Sequence, residues 1–301
     1  MRTNWTGVGT ALVTPFTPEG ELDEAAVRRL ARRQIDAGVH FLVPCGTTGE
    51  SPTLTDAERI RTVEIIVDEA RGQVPVLAGA GGYNTRDVIA LADDMQRAGA
   101  AGLLSVSPYY NKPTQEGLYQ HYRALADSTP LPIVLYNVAG RTGVNIETST
   151  IVRLAADCPN IVGVKEASGN ISQMCDVRSK LPSDFLLICG DDAITLPLMA
   201  IGGCGVISVV SNEVPGEMVQ LVEAAERGDY PAARAVHQRL MPLMQVNFVE
   251  ANPIPVKTAM VAMGLIQDVF RLPMCPAAEA SRARIVEVLK ALDLLKPALV
   301  Q

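Results

Sequence analysis

Eight short apolar runs alternate with segments of helical periodicity, and this repeat limits the chain to very few folds. The runs lie at 7–13, 41–44, 74–78, 102–106, 133–136, 161–165, 185–189 and 205–209. They are too short for helices and are apolar on both faces, as in parallel strands covered on two sides. Between them, 23–37 is apolar at Val27, Leu30, Ala31 and Ile35, and Thr55 followed by Glu58 forms a capping-box pattern. The segments 85–98, 114–127, 148–156 and 215–227 start in the same way. Strand–helix units of near-equal length predict a (β/α)8 barrel, with a doubly wound sheet as the alternative. After Gly228-Asp229 the strand signals stop, and 230–244, 255–263 and 277–294 read as helices. The expectation is a barrel over 1–228 and a C-terminal helical extension over 229–301.

Composition removes several functional classes. No apolar run approaches the roughly 20 residues that span a bilayer. Met1 to Trp5 lacks the apolar core of a signal peptide, so a cytoplasmic protein is expected. Net charge is −7, and the basic Arg28, Arg29, Arg32 and Arg33 read as a solvated helix face, so no nucleic-acid partner and no membrane partner is expected. The six cysteines have no Cys-x-x-Cys spacing and are expected to be reduced thiols, mainly buried. The three histidines, His40, His121 and His237, lie far apart and form no metal-binding pattern, so no metal is expected. Carbonyl chemistry, if present, then falls to an amine.

One lysine is placed for it. In a barrel of this kind, active sites are built at the carboxyl ends of the strands. Ile161-Val162-Gly163-Val164-Lys165 ends a buried strand in an ammonium, a costly arrangement unless the amine is used. Burial favours the neutral form of an amine and so makes a nucleophile available for Schiff-base formation. The other reading is a side chain that snorkels to solvent. Of the six lysines, Lys180, Lys290 and Lys296 sit in polar helical contexts and are expected to be exposed. Lys112 lies on a loop, Lys257 opens a C-terminal helix, and only Lys165 ends a strand.

The other strand ends carry Gly46-Thr47-Thr48-Gly49-Glu50-Ser51, Tyr109-Tyr110-Asn111, Tyr136-Asn137 with Arg141 beyond, Gly190-Asp191-Asp192, and Ile207-Ser208. The glycine–threonine loop suits a carboxylate and equally suits an ordinary turn. Tyr110 and Tyr136 fit proton relay or packing. Arg141 fits a bidentate carboxylate clamp or a surface ion pair. Asp191-Asp192 reads as a helix cap rather than a metal pair. Ala78-Gly79-Ala80-Gly81-Gly82 is not a dinucleotide fingerprint, because Asn84 stands at the last required glycine.

Nearly the whole chain resembles the dihydrodipicolinate synthase family of pyruvate-dependent class I aldolases. The motifs run from Gly9-Thr10-Ala11-Leu12-Val13-Thr14-Pro15-Phe16 through Gly46-Thr47-Thr48-Gly49-Glu50-Ser51, Pro108-Tyr109-Tyr110-Asn111-Lys112-Pro113, Tyr136-Asn137-Val138 and Arg141-Thr142-Gly143 to Val164-Lys165-Glu166-Ala167 and Asn252-Pro253-Ile254-Pro255-Val256-Lys257. The resemblance implies a barrel with a helical C-terminal domain. It also implies condensation of pyruvate with aspartate-4-semialdehyde, the step committed to diaminopimelate and lysine, without a cofactor. By motif position, Lys165 forms the imine, and Thr47, Tyr110 and Tyr136 relay protons. Thr48 holds the pyruvate carboxylate, Arg141 receives that of the semialdehyde, and Gly190 and Ile207 line the pyruvate pocket through backbone groups. Tyr110 reaches into a neighbouring subunit's site, which implies a homo-oligomer, usually a tetramer made of two dimers.

N-acetylneuraminate lyase and other sugar-acid aldolases share the lysine and tyrosine. Arg141 within Arg-Thr-Gly favours the synthase over them. Two features depart from the family pattern. Ala139 replaces a frequent proline. At the position of the lysine-feedback site (Ser51, Asp56, Arg59, Tyr83, Asp87, Tyr109), Asp56 and Arg59 replace histidines of some sensitive members and Tyr83 replaces an asparagine. The resemblance therefore does not carry lysine inhibition to this chain.

Overall fold

The computed structural model describes residues 5–295. The eight strands are β1 (Gly7–Ala11), β2 (Phe41–Val43), β3 (Leu77–Gly79), β4 (Gly102–Val106), β5 (Ile133–Asn137), β6 (Ile161–Glu166), β7 (Leu186–Cys189) and β8 (Gly205–Ser208). All pair in parallel in the order β2-β1-β8-β7-β6-β5-β4-β3. A parallel bridge between Leu42 and Val76 joins the two ends and completes a (β/α)8 barrel. Closure removes the exposed edges that an open sheet would have to protect.

The helices are α1 (Glu24–Asp36), α2 (Asp56–Ala70), α3 (Thr85–Arg97), α4 (Gln115–Ser128), α5 (Ala139–Thr142), α6 (Thr148–Asp157), α7 (Ile171–Lys180), α8 (Thr195–Ala200), α9 (Pro215–Glu226), α10 (Tyr230–Val246), α11 (Ile254–Ala262) and α12 (Glu279–Ala291). Side chains fix several starts. Asp23 accepts from the Ala26 amide, and the Thr55–Glu58 box is complete. Asn84, one residue before the expected Thr85, caps α3. Each such cap is worth about 1 kcal/mol. Beyond α9 the regular elements among the described residues are helices, α10 packing on α9 and α12 on α10 and α11.

Two apolar layers follow from strand alternation. One lies between strands and helices and includes Leu42, Leu103, Leu135, Val164 and Leu187. The other fills the barrel, with Trp5 stacked edge-on against Phe41 near the amino-terminal end and Leu104, Tyr136, Ile188 and Ile207 towards the carboxyl end.

The arginines of α1 are not simply solvated. Arg32 pairs with Glu69 at 2.8 Å, and Arg33 donates to the Asn212 and Glu213 carbonyls, so they dock α1 on its neighbours. Of the cysteines, Cys45, Cys158 and Cys189 are buried, Cys204 is half-buried, and Cys175 and Cys275 are exposed, so burial covers fewer of them than expected. No helix is long and apolar enough to cross a membrane among the described residues.

Candidate active site

Lys165 faces the barrel interior because of an irregularity in β6. Ile161 packs on the outer layer and Val162 on the inner one. Strict alternation from Val162 would turn Lys165 out towards the helices. The register with β5 skips a residue instead, pairing Ile133 with Ile161 but Val134 with Gly163. This extra residue reverses the alternation, so Val164 points outward and Lys165 inward, the re-aiming that a β-bulge performs. Lys165 then stands level with Tyr136 on one side and Ile188 on the other. Its Nζ lies 4.3 Å from the Tyr136 ring centre, and the residue is 6% exposed. Among the described residues, no carboxylate lies within ion-pair distance of it. The next residue, Glu166, points away from the barrel centre. Its carboxylate accepts from Asn137 at 3.0 Å and from the Ser168 amide at 3.0 Å, and burial raises its pKa.

Tyr136 forms part of the wall of a cavity of about 260 Å³ at the carboxyl end of the barrel. Thr47, Glu50, Gly79, Arg141 and Asn252 also line it. Thr48 lies just behind, buried, with its hydroxyl receiving the Asn252 amide at 3.0 Å. Gly190 packs directly on Lys165, and a Cβ added there would stand 3.0 Å from Lys165 Cε. Ile207 is buried in the same interior layer as Tyr136. Gly79 lets β3 approach the loop after β2, since a Cβ there would sit 2.1 Å from the Cys45 carbonyl oxygen. Arg141 is exposed on the short α5 and donates to the Asn252 carbonyl at 3.2 Å. Tyr110 is the one candidate that the single chain does not bring in. It is 91% exposed on a backbone with φ of 69°.

Asp191 caps the turn after β7, as expected, by accepting from the Ala193 amide. Asp192 instead receives the Val209 and Val210 amides and ties the end of β7 to that of β8.

Burial alone does not single out Lys165, which corrects the elimination made from sequence. Lys257, at the start of α11, is more deeply buried, at 0% exposure. Its Nζ lies 2.5 Å from Glu50 Oε1 and 4.5 and 4.8 Å from the ring centres of Phe16 and Phe270. Burial lowers the Lys257 pKa and raises that of Glu50. The difference between the two lysines is the carboxylate, which Lys257 has and Lys165 lacks. Lys180 is exposed and paired with Asp176, Lys290 is exposed, and Lys296 lies outside the described residues.

The cavity wall supplied by Asn252, Pro253, Pro273 and Met274 was missed by reasoning from strand ends, because these residues follow the last barrel helix. The only sequence signal was the motif Asn252-Pro253-Ile254-Pro255-Val256-Lys257. At the expected feedback position, Arg59 donates to the Ser51 carbonyl at 2.7 Å and pairs with Asp56 at 3.2 Å, while Tyr83 meets Tyr109 edge-on at 5.2 Å.

A buried lysine free of carboxylates, beside a tyrosine at the carboxyl end of a closed barrel, is the arrangement that a lysine-dependent barrel lyase requires. The model of the dihydrodipicolinate synthetase family matches residues 4–292. The chain is 47% identical over 296 residues to 4-hydroxy-tetrahydrodipicolinate synthase of Chloroherpeton thalassium, covering 98% of each chain. It is 49% identical over 292 residues to the same-named protein of Endomicrobium trichonymphae, covering 97% of this chain and all of that one. The crystal structure of dihydrodipicolinate synthase from Aquifex aeolicus superposes with a TM-score of 0.95 at 42% identity, over 97% of this chain and all of that one. The chain belongs to the dihydrodipicolinate synthetase family.

Proposed function

We propose that this chain is a 4-hydroxy-tetrahydrodipicolinate synthase. It condenses pyruvate with L-aspartate-4-semialdehyde in the first committed step of diaminopimelate and lysine formation. The observation that carries this reading is Lys165, turned into the barrel beside Tyr136 and, among the described residues, without a carboxylate partner. The relatives' names supply the product, and the two substrates are those that the family resemblance implies.

The Lys165 amine attacks the pyruvate carbonyl carbon. Water leaves, and an imine remains. Protonated, that imine draws electrons from the adjacent methyl carbon, which loses a proton and attacks the aldehyde as an enamine. Thr47 and Tyr136, with Tyr110 supplied by a neighbouring subunit, relay the protons. Thr48 and the backbone at Gly190 and Ile207 hold the pyruvate end, and Arg141 takes the semialdehyde carboxylate. A homo-oligomer, most simply a tetramer made of two dimers, accounts for a tyrosine 91% exposed on its own chain. A cytoplasmic location suits six unpaired thiols. In this reading the catalytic barrel ends at residue 228 and a helical domain from 229 closes one wall of the site, residues 1–4 and 296–301 of the two expected domains lying outside the described residues.

Reduction with borohydride in the presence of pyruvate tests the proposal. One three-carbon unit should be added, and a peptide map should place it on Lys165. No adduct, or an adduct on Lys257, refutes it. Turnover of a sugar acid instead of the semialdehyde would keep the imine and overturn the substrate.

A further inference from the structure

We propose that Lys257, acting through Glu50, is a positioning residue that fixes the Gly46-Thr47-Thr48-Gly49 loop as a seat for the pyruvate carboxylate. This inference rests on the function proposed above. The loop is framed by two non-glycine residues in left-handed backbone, Cys45 with φ of 57° and Glu50 with φ of 53°. Such conformations are sparsely populated by residues with a Cβ and persist only where the surroundings over-determine them. Two bonds are local: the Glu50 amide to the Thr47 carbonyl at 3.1 Å and the Ser51 amide to the Gly46 carbonyl at 3.4 Å. Other ties come from farther along the chain, and the first is the Thr14 hydroxyl, which donates to the Gly49 carbonyl at 2.7 Å. Lys257 Nζ holds Glu50 Oε1 at 2.5 Å across 207 residues, and Asn252 Nδ2 holds the Thr48 hydroxyl at 3.0 Å across 204.

Lys257 is the sole hydrogen-bond partner of the Glu50 carboxylate among the described residues, since Oε2 has none. A pair this dry gains little over apolar side chains of similar size, because desolvation of both ions offsets their attraction. Stability alone therefore does not explain it. Orientation does, because α11 and the segment before it reach both ends of the site at once. Asn252 receives Arg141 through its carbonyl and holds Thr48 through its amide, while Lys257 holds Glu50. One segment thus sets the spacing between the two proposed carboxylate sites.

The test compares wild type, Lys257→Met and the double variant Glu50→Gln/Lys257→Met, which removes the pair without leaving a lone buried charge. A seat that binds pyruvate equally in ground and transition states acts on KM and not on kcat. Loss of the tether should raise the pyruvate KM, and the pyruvate concentration that half-saturates borohydride trapping, by about tenfold or more, and should lower kcat as well, because Thr47 of the proton relay sits on the same loop. Amides of residues 46–51 should exchange faster with solvent deuterium while those of β5 are unchanged.

A folded double variant with unchanged pyruvate KM overturns the proposal. So does a fall in kcat alone, which would mark a general loss of structure at the lysine. If neither variant folds, the apolar pair Glu50→Met/Lys257→Met, which fills the same space without the tether, must raise the KM severalfold, and an unchanged value overturns the proposal. Wild-type enzyme that traps no pyruvate refutes the function itself. The exchange of residues 46–51 then still decides whether Lys257 fixes the loop.

Discussion

Replacing Gly190 by alanine would test whether the geometry around Lys165 carries the chemistry. Gly190 follows β7, with its amide bonded to the Glu166 carbonyl at 2.8 Å. A methyl group there would lie 2.6 Å from Ala167 Cβ, 3.0 Å from Lys165 Cε and 3.2 Å from the Glu166 carbonyl oxygen. Ala167 has no rotamer with which to retreat. Either β6 and β7 separate, or the lysine stem swings away. Over-packing of this kind costs about 1–3 kcal/mol. A displacement of roughly 1 Å in a reacting group costs about 100-fold in rate.

Gly190→Ala should therefore fold, melt several degrees below wild type, and form the pyruvate imine about 100-fold more slowly when quenched with borohydride over time. Gly216→Ala is the control, because nothing lies within 4 Å of the added methyl. Its stability should shift by no more than about 1 kcal/mol, with the trapping rate unchanged. If Gly190→Ala traps pyruvate within about twofold of wild type at an unchanged melting temperature, Gly190 does not constrain Lys165 and the reasoning fails.

Two further outcomes are expected. Arg141→Ala should leave imine trapping intact and lower kcat/KM for the semialdehyde by about 10²–10⁴, as expected for the loss of two charge-assisted hydrogen bonds worth about 1.5–3 kcal/mol each. Loss of the adduct as well, or an unimpaired condensation, would contradict the assignment. His121 is buried with Nδ1 at 2.9 Å from the Thr85 hydroxyl, and burial lowers its pKa to about 4 from the usual 6.5. It stays neutral in the folded state while the unfolded chain takes up a proton, so its contribution is complete above pH 6.5 and is lost as pH falls towards about 4. Wild type should lose up to about 3 kcal/mol across that window by urea titration. His121→Phe should be flatter over the same range, and equal slopes would refute the assignment.

The sequence by itself determined the barrel and most of its boundaries, because the signals involved are local. A strand buried on two faces is a short apolar run, and a helix start is a hydrogen bond between residues two or three apart, as at Asp23, Thr55 and Thr114. The same locality made the strand-end candidates legible, since a barrel gathers those ends whatever lies between them. Pairings across the fold were decided elsewhere. Nothing near Lys257 in the chain marks it as the partner of Glu50, and nothing near Asn252 marks it as the cavity wall that holds Thr48 and Arg141. Those contacts exist only once the helices after α9 fold back over the barrel mouth.

The direction of Lys165 belongs to the tertiary structure too. Strict alternation along Ile161-Val162-Gly163-Val164 aims it at the helices. One residue of slack against β5 turns it into the barrel, and that slack arises from pairing with a strand whose sequence lies 28 residues away, at Ile133 opposite Ile161. Periodicity within a strand fixes which residues share a face. The register with its neighbours fixes which face becomes the inside.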